Sequence, residues 1–132
     1  MAKTLSEILE RAKQNGIETA VVLLPTQFHY DRSSHSEKNP WTIAGSVIKE
    51  EWLSEDAEIQ KKMRLWASSE AVPFLDLTPI FRKAIELDKN LYYPLDGHWN
   101  YLGHKVAANA IASWLYNQQV FSFIKEQSLA SQ

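Results

Sequence analysis

The stretch "ETAVVLLP", residues 18–25, constrains the fold more than any other part of this chain. From Ala20 to Leu24 every residue is apolar, two of them are valine, and the run ends at Pro25. A strand with one wet face alternates apolar and polar residues. An unbroken apolar run of strand length reads instead as a strand covered on both faces, the kind used in parallel sheets. Upstream, Leu5, Ile8, Leu9 and Ala12 recur at helical spacing across residues 4–15. Thr4 or Ser6 is the candidate cap there, and Gly16 is placed to end the helix in the left-handed conformation. A helix, a glycine and then a fully buried strand predict an α/β fold.

The pattern recurs downstream. Ile59, Met63 and Trp66 along one side predict a helix over 54–69, and "AVPFLDL" predicts a second short buried strand. Thr78 followed by Pro79 is the cap-then-proline opening of a helix over "TPIFRKAIEL". "DKNLYYPLDG" reads as an extended linker closing in an Asp-Gly turn. From Asn100, a good N-cap, Leu102, Val106, Ala110 and Trp114 recur four apart, with Ala107, Ile111 and Leu115 alongside, giving a helix with a wide apolar face. Residues 26–53 form a long irregular loop rich in Ser, Asn, Asp, Pro and Gly, and loops of that length inside a domain are usually functional or mobile. Residues 118–132 read as a tail with a turn or two of helix.

At 132 residues the expectation is a single domain spanning 1–132, large enough for a real core. Two strands are too few to carry four or five helices, because such sheets usually run to about five strands. The chain therefore reads as the second half of a doubly wound fold with a short parallel sheet. Its exposed sheet edge is expected to take a second copy of the chain or an N-terminal half.

Composition removes several function classes. Fourteen Lys and Arg against sixteen Asp and Glu give a net charge of −2, and Lys61–Lys62 lie among acidic residues, so neither nucleic acid nor an anionic membrane surface is an expected partner. The absence of cysteine excludes disulfides, thiolate metal sites and a cysteine nucleophile. No apolar run approaches the roughly 20 residues of a membrane span, and "MAKTLSEILERAKQNG" has no apolar core of a signal peptide. Four glycines, at 16, 45, 97 and 103, cannot assemble a phosphate-binding loop, so no nucleotide cofactor is expected. His98 and His104 stand six apart, whereas metal-binding pairs on one helix face stand four apart; no metal is expected, and His104 reads as a helix-surface or packing residue. His29, beside Phe28 and Tyr30, reads as structural, and Asp76 as a cap for the turn after the second strand.

The chemistry-bearing stretch is "LDGHWN", residues 95–100. A histidine acting as general base must hold one tautomer, and a carboxylate accepting a hydrogen bond from its other nitrogen fixes that tautomer. Asp96 and His98 are separated only by Gly97, just ahead of a helix N-terminus that favours developing negative charge. In open α/β sheets the ligand crevice lies beyond the carboxyl ends of the strands, where Pro25, Thr26 and Gln27 follow the first strand. The bland alternative stands beside this one: an Asp-Gly turn, a capping Asn100 and Trp99 as a hydrophobic anchor.

The stretch "YPLDGHWNYLGHKVAANAIASWL" resembles the last motif block of the SGNH (GDSL-type) hydrolases and their acyltransferase relatives. "ETAVVLLPTQFHYD" and "AVPFLDLTPIF" resemble two strands of that family, so the likeness runs from Leu5 to Leu115. It implies a partial three-layer α/β/α, flavodoxin-like fold of SGNH type, formed by its C-terminal half. It also implies that His98 is the general base of a Ser-His-Asp triad and Asp96 its orienting carboxylate. A substrate crevice would include Pro25, Thr26, Gln27, Trp99 and Asn100, and the substrate would be a small-molecule or carbohydrate ester. The one-residue spacing, Asp-x-His-Trp, resembles the alginate O-acetyltransferase branch more than the commoner two-residue form. The family's Gly-Asp-Ser block does not occur in these 132 residues. Ser33, Ser34 and Ser36, around His35, lack any nucleophile-elbow context and read as loop residues. The expected function is thus an esterase or O-acyltransferase-like protein supplying the Asp-His pair, inactive or nearly so alone. The alternative is a non-catalytic relative acting as a self-associating or partner-binding module.

Overall fold

Helical spacing of Leu5, Ile8 and Leu9 produces α1, Ala2–Gln14, one turn earlier at its start than the candidate caps suggested. Thr4 and Ser6 lie inside the helix, and the Ser6 hydroxyl is spent elsewhere, on Glu70 and on the indole N–H of Trp66 (3.1 Å). Gly16 ends α1 as expected, with φ +68° and the Ile17 N–H returning to the Ala12 carbonyl at 2.9 Å. The structure is a computed structural model and describes residues 2–29, 50–54, 57–87, 90–93 and 96–122.

Strand β1 (Val21–Leu23) pairs in parallel with β2 (Phe74–Asp76) in the register Val21↔Phe74, Val22↔Leu75 and Leu23↔Asp76. This is the short parallel sheet of an α/β fold. All six residues are half-buried rather than fully buried as the unbroken apolar runs predicted. Among the described residues each strand pairs only with the other, so the sheet is too narrow for helices to seal both faces.

Between the strands the long loop includes two 3-10 turns, Gln27–His29 and Glu50–Leu53; residues 30–49 lie outside the described part, with Ser33, Ser34, His35, Ser36 and Trp41. Helix α2 (Glu58–Ser69) buries Gln60, Met63 and Ala67. Its buried stripe is therefore rotated from the predicted one, with Trp66 only half-buried. Helix α3 (Thr78–Glu86) begins at Thr78, which is its first residue and not its cap: Leu77 takes the cap position, and the buried Thr78 hydroxyl accepts from Gln60 Nε2 at 3.4 Å. Asp76 does cap, its Oδ1 accepting from the Thr78 N–H at 2.9 Å.

The stretch expected to be an extended linker forms a hairpin, with β3 (Tyr92–Tyr93) antiparallel to β4 (Asp96–Trp99). Helix α4 (Tyr101–Asn117) follows, opened as predicted by Asn100, whose side chain accepts from the Gly103 N–H at 3.0 Å. Leu77, Phe81, Ala84, Leu91, Tyr92 and Ala107 make the core, with Val22 and Leu75 from the sheet and Leu102, Val106, Ala110 and Ile111 from α4 packed against it. The core thus sits between α3, the hairpin and α4. No described helix is long and apolar enough to cross a membrane.

Candidate functional site

The hairpin's register carries the first clue. Tyr92 pairs with Trp99 and Tyr93 with Asp96, so two residues of β4, Gly97 and His98, fall between the paired positions and form a bulge. Bulges interrupt the ladder, bend the strand and re-aim a side chain, and glycine is common in them. The Asp-Gly dipeptide is therefore part of strand β4 and not of a turn, and residues 94–95 lie outside the described residues. Gly97 and His98 are exposed, and His98 projects from a short, distorted strand. The side chain of Asp96 also lies outside the described part, while its backbone opens β4.

Trp99 anchors the bulge's other flank. Its ring leans on Phe81 of the core, with centroids 5.0 Å apart, and receives the edge of His104 from the first turn of α4 at 5.6 Å. Its indole N–H donates to the Tyr92 hydroxyl, and that hydroxyl donates to the carbonyl oxygen of Pro25. Pro25, at the end of β1, is thereby tied to a hairpin 67 residues further along the chain.

These contacts frame an open pocket of about 360 Å³, at the small end for ligand sites. Leu24, Pro25 and Thr26 contribute one wall, Tyr92 and the bulge with Trp99 another, and His104 a third. Larger grooves of about 870 Å³ along α1 and about 610 Å³ between Arg64 and Glu86 are lined mainly by charged side chains. The smaller pocket is the chemical candidate, because two imidazoles face a mostly apolar cavity beyond the carboxyl end of β1.

The family model described as "SGNH hydrolase-like domain, acetyltransferase AlgX" matches residues 1–132. The chain belongs to this family. Searches of curated proteins and of solved structures returned no match. The α/β fold with its parallel strand pair suits an SGNH hydrolase-like domain.

Of the residues singled out in the SGNH-like sequence, Pro25, Thr26, His98 and Trp99 meet in the pocket. Gln27 does not line it; it is buried in the adjoining 3-10 turn. Asn100 is committed to the backbone, its Nδ2 donating to the carbonyls of Asn90 (2.8 Å) and Tyr92 (3.3 Å) while its Oδ1 caps α4. His29 is held by the Thr26 hydroxyl, 2.8 Å from Nδ1, and stacks on Trp52 at 5.5 Å. Leu24, Tyr92 and His104 are pocket residues that sequence reasoning did not select. For His104 a signal existed: it stands one turn inside a capped helix start, directly after the His98 strand. No group of three or more metal-ligating side chains occurs among the described residues.

Proposed function

We propose that this SGNH hydrolase-like domain supplies the histidine and carboxylate of an acyl-transfer centre. His98 acts as general base, Asp96 orients it, and the attacking serine comes from a segment not among these 132 residues. One observation carries the reading: the bulge puts His98 into an apolar pocket at the carboxyl end of β1, beside Pro25 and Thr26. There a hydroxyl could lose its proton to the imidazole and attack an ester carbonyl. The ester's alcohol leaves with that proton, and water or an acceptor hydroxyl, deprotonated in turn by the imidazole, takes the acyl group and frees the serine. Trp99, half-buried in the pocket wall, supplies aromatic surface for the sugar ring of a carbohydrate ester. Transfer needs donors for the developing oxyanion, and those are expected from the same segment as the serine.

The test has two arms. Imidazole nitrogen chemical shifts report which ring nitrogen of His98 carries the proton; Asp96→Asn is expected to change that tautomer balance. An unchanged balance would sink the pair. A serine-reactive fluorophosphonate probe is expected to leave the chain unlabelled, and labelling at Ser33, Ser34 or Ser36 would make the domain self-contained instead.

A second reading, a module that binds a partner or a second copy, draws support from the parallel pair whose outer edges have no neighbour among the described residues. A stable monomer by size exclusion at all concentrations would count against it.

A further inference from the structure

We infer that Tyr92 is a positioning residue for His98, acting through its hydroxyl. The inference rests on the reading of His98 as the base, and adds what holds that base in place. His98 sits in a bulge, and the strand pairing fixes its flanks, Asp96 and Trp99. The Trp99 flank is locked by a chain of two hydrogen bonds, indole N–H to Tyr92 hydroxyl and Tyr92 hydroxyl to Pro25 carbonyl. Tyr92 is 5% exposed and Pro25 is buried, so losing the hydroxyl leaves polar groups where little water is at hand to take its place.

The hydroxyl is the only atom of Tyr92 in this chain, and it serves as acceptor and donor at once. Removing it leaves an indole donor and a proline carbonyl with one partner fewer, at the point where the wall from β1 meets the wall carrying His98. The ring itself contributes separately, packing edge-on to Trp99 with centroids 6.4 Å apart. Tyr92→Phe keeps that packing and deletes the link. Tyr93, the neighbouring tyrosine, is half exposed and does not line the pocket, which makes Tyr93→Phe the matched control.

The experiment is NMR on isotope-labelled protein, following the two ring nitrogens of His98, the Trp99 indole N–H, and the methyls of Ala84 and Ala107 as core reporters. Tyr92→Phe is expected to move the His98 ring signals by more than their linewidth and to speed exchange of the Trp99 indole N–H roughly tenfold or more. The alanine methyls should stay in place, and Tyr93→Phe should move none of these signals. His98 signals that stay put in a folded Tyr92→Phe protein overturn the inference. Should that variant unfold, the unaltered protein is heated below its melting point. Trp99 indole protection and the His98 signals are then expected to change together, and separate changes overturn the link. The outcome is independent of the Asp96→Asn experiment. An unmoved tautomer there removes Asp96 as the partner of His98, while Tyr92 still passes or fails on its own signals.

Discussion

Gly103 and Leu91 stand closer than any side chain at 103 would permit: a β-carbon there would lie 2.3 Å from the Leu91 carbonyl oxygen and 3.0 Å from the Trp99 β-carbon. The same carbonyl accepts from the Asn100 N–H at 3.0 Å, so it cannot move aside without breaking the junction of β3 with α4. Gly103→Ala is expected to lower stability by about 1–3 kcal/mol, the cost of overpacking a site that cannot yield. Chemical denaturation will show it as a reduced midpoint with an unchanged slope.

Asn100 joins the hairpin to α4 with both ends of its amide. Asn100→Ala is expected to cost about 1–2 kcal/mol through the lost cap. Asn100→Asp keeps the acceptor for the Gly103 N–H but loses the donor to the Asn90 carbonyl, so it should fall between the two in a thermal melt. An alanine variant melting at the parental temperature would show that the cap contributes nothing.

Three helices end with the same returning bond, Ile17 N–H to Ala12, Val72 N–H to Ala67 and Val120 N–H to Leu115, each past a residue in the left-handed region. Only the first uses glycine there; Ala71 has φ +51° and Gln119 φ +47°. A left-handed conformation costs a non-glycine residue roughly 1 kcal/mol. Ala71→Gly is therefore expected to stabilise the protein by about 0.5–1 kcal/mol, a rare gain from adding a glycine, measurable by denaturant titration.

Arg82 binds the two 3-10 turns to α3. Its guanidinium donates to the His29 carbonyl through Nε (3.2 Å) and Nη2 (2.8 Å), and to the Ser54 carbonyl through Nη2 (2.7 Å). A lysine cannot reproduce this fork. Arg82→Lys is expected to speed hydrogen exchange of the His29 and Ser54 amides, which close those turns, while the Phe81 amide inside α3 keeps its protection. Equal acceleration at all three would mean that Arg82 acts on the whole fold.

The two strands of the parallel pair, the helices in their order, Gly16 as a terminator and Asn100 as a cap were legible because each depends on residues within a few positions of one another; the hairpin, which reads as a linker, was not. The degree of burial was not legible either: an apolar run tells what a strand tolerates, while Val22 and Leu75, packed against the core in strands that α2 also touches, stay half-buried. Thr78 looked like a cap from its proline neighbour, yet the helix starts one residue earlier and its hydroxyl faces Gln60. The site divided in the same way. His98 and Trp99 were visible as a motif, and Pro25 as a strand end, but their meeting runs through a tyrosine that looks like any other aromatic in a linker. The bulge was hidden because Asp-Gly signals a turn, and only the pairing of Tyr93 with Asp96 shows that the chain has already turned.

The offset of the core from the parallel pair has a consequence for how this domain assembles. Leu77 to Ala107 form one continuous span of chain, so the contacts among them close early and cheaply. Joining Val21 to Phe74 must instead shut a long loop, an entropic penalty better met once α3, the hairpin and α4 offer a surface to land on. We expect pulse-labelled exchange during refolding to protect α3 and α4 before β1. The cavity around His98 would then arise in the last step, when Pro25 reaches its tyrosine, and amide protection in β1 ahead of α3 would refute that order.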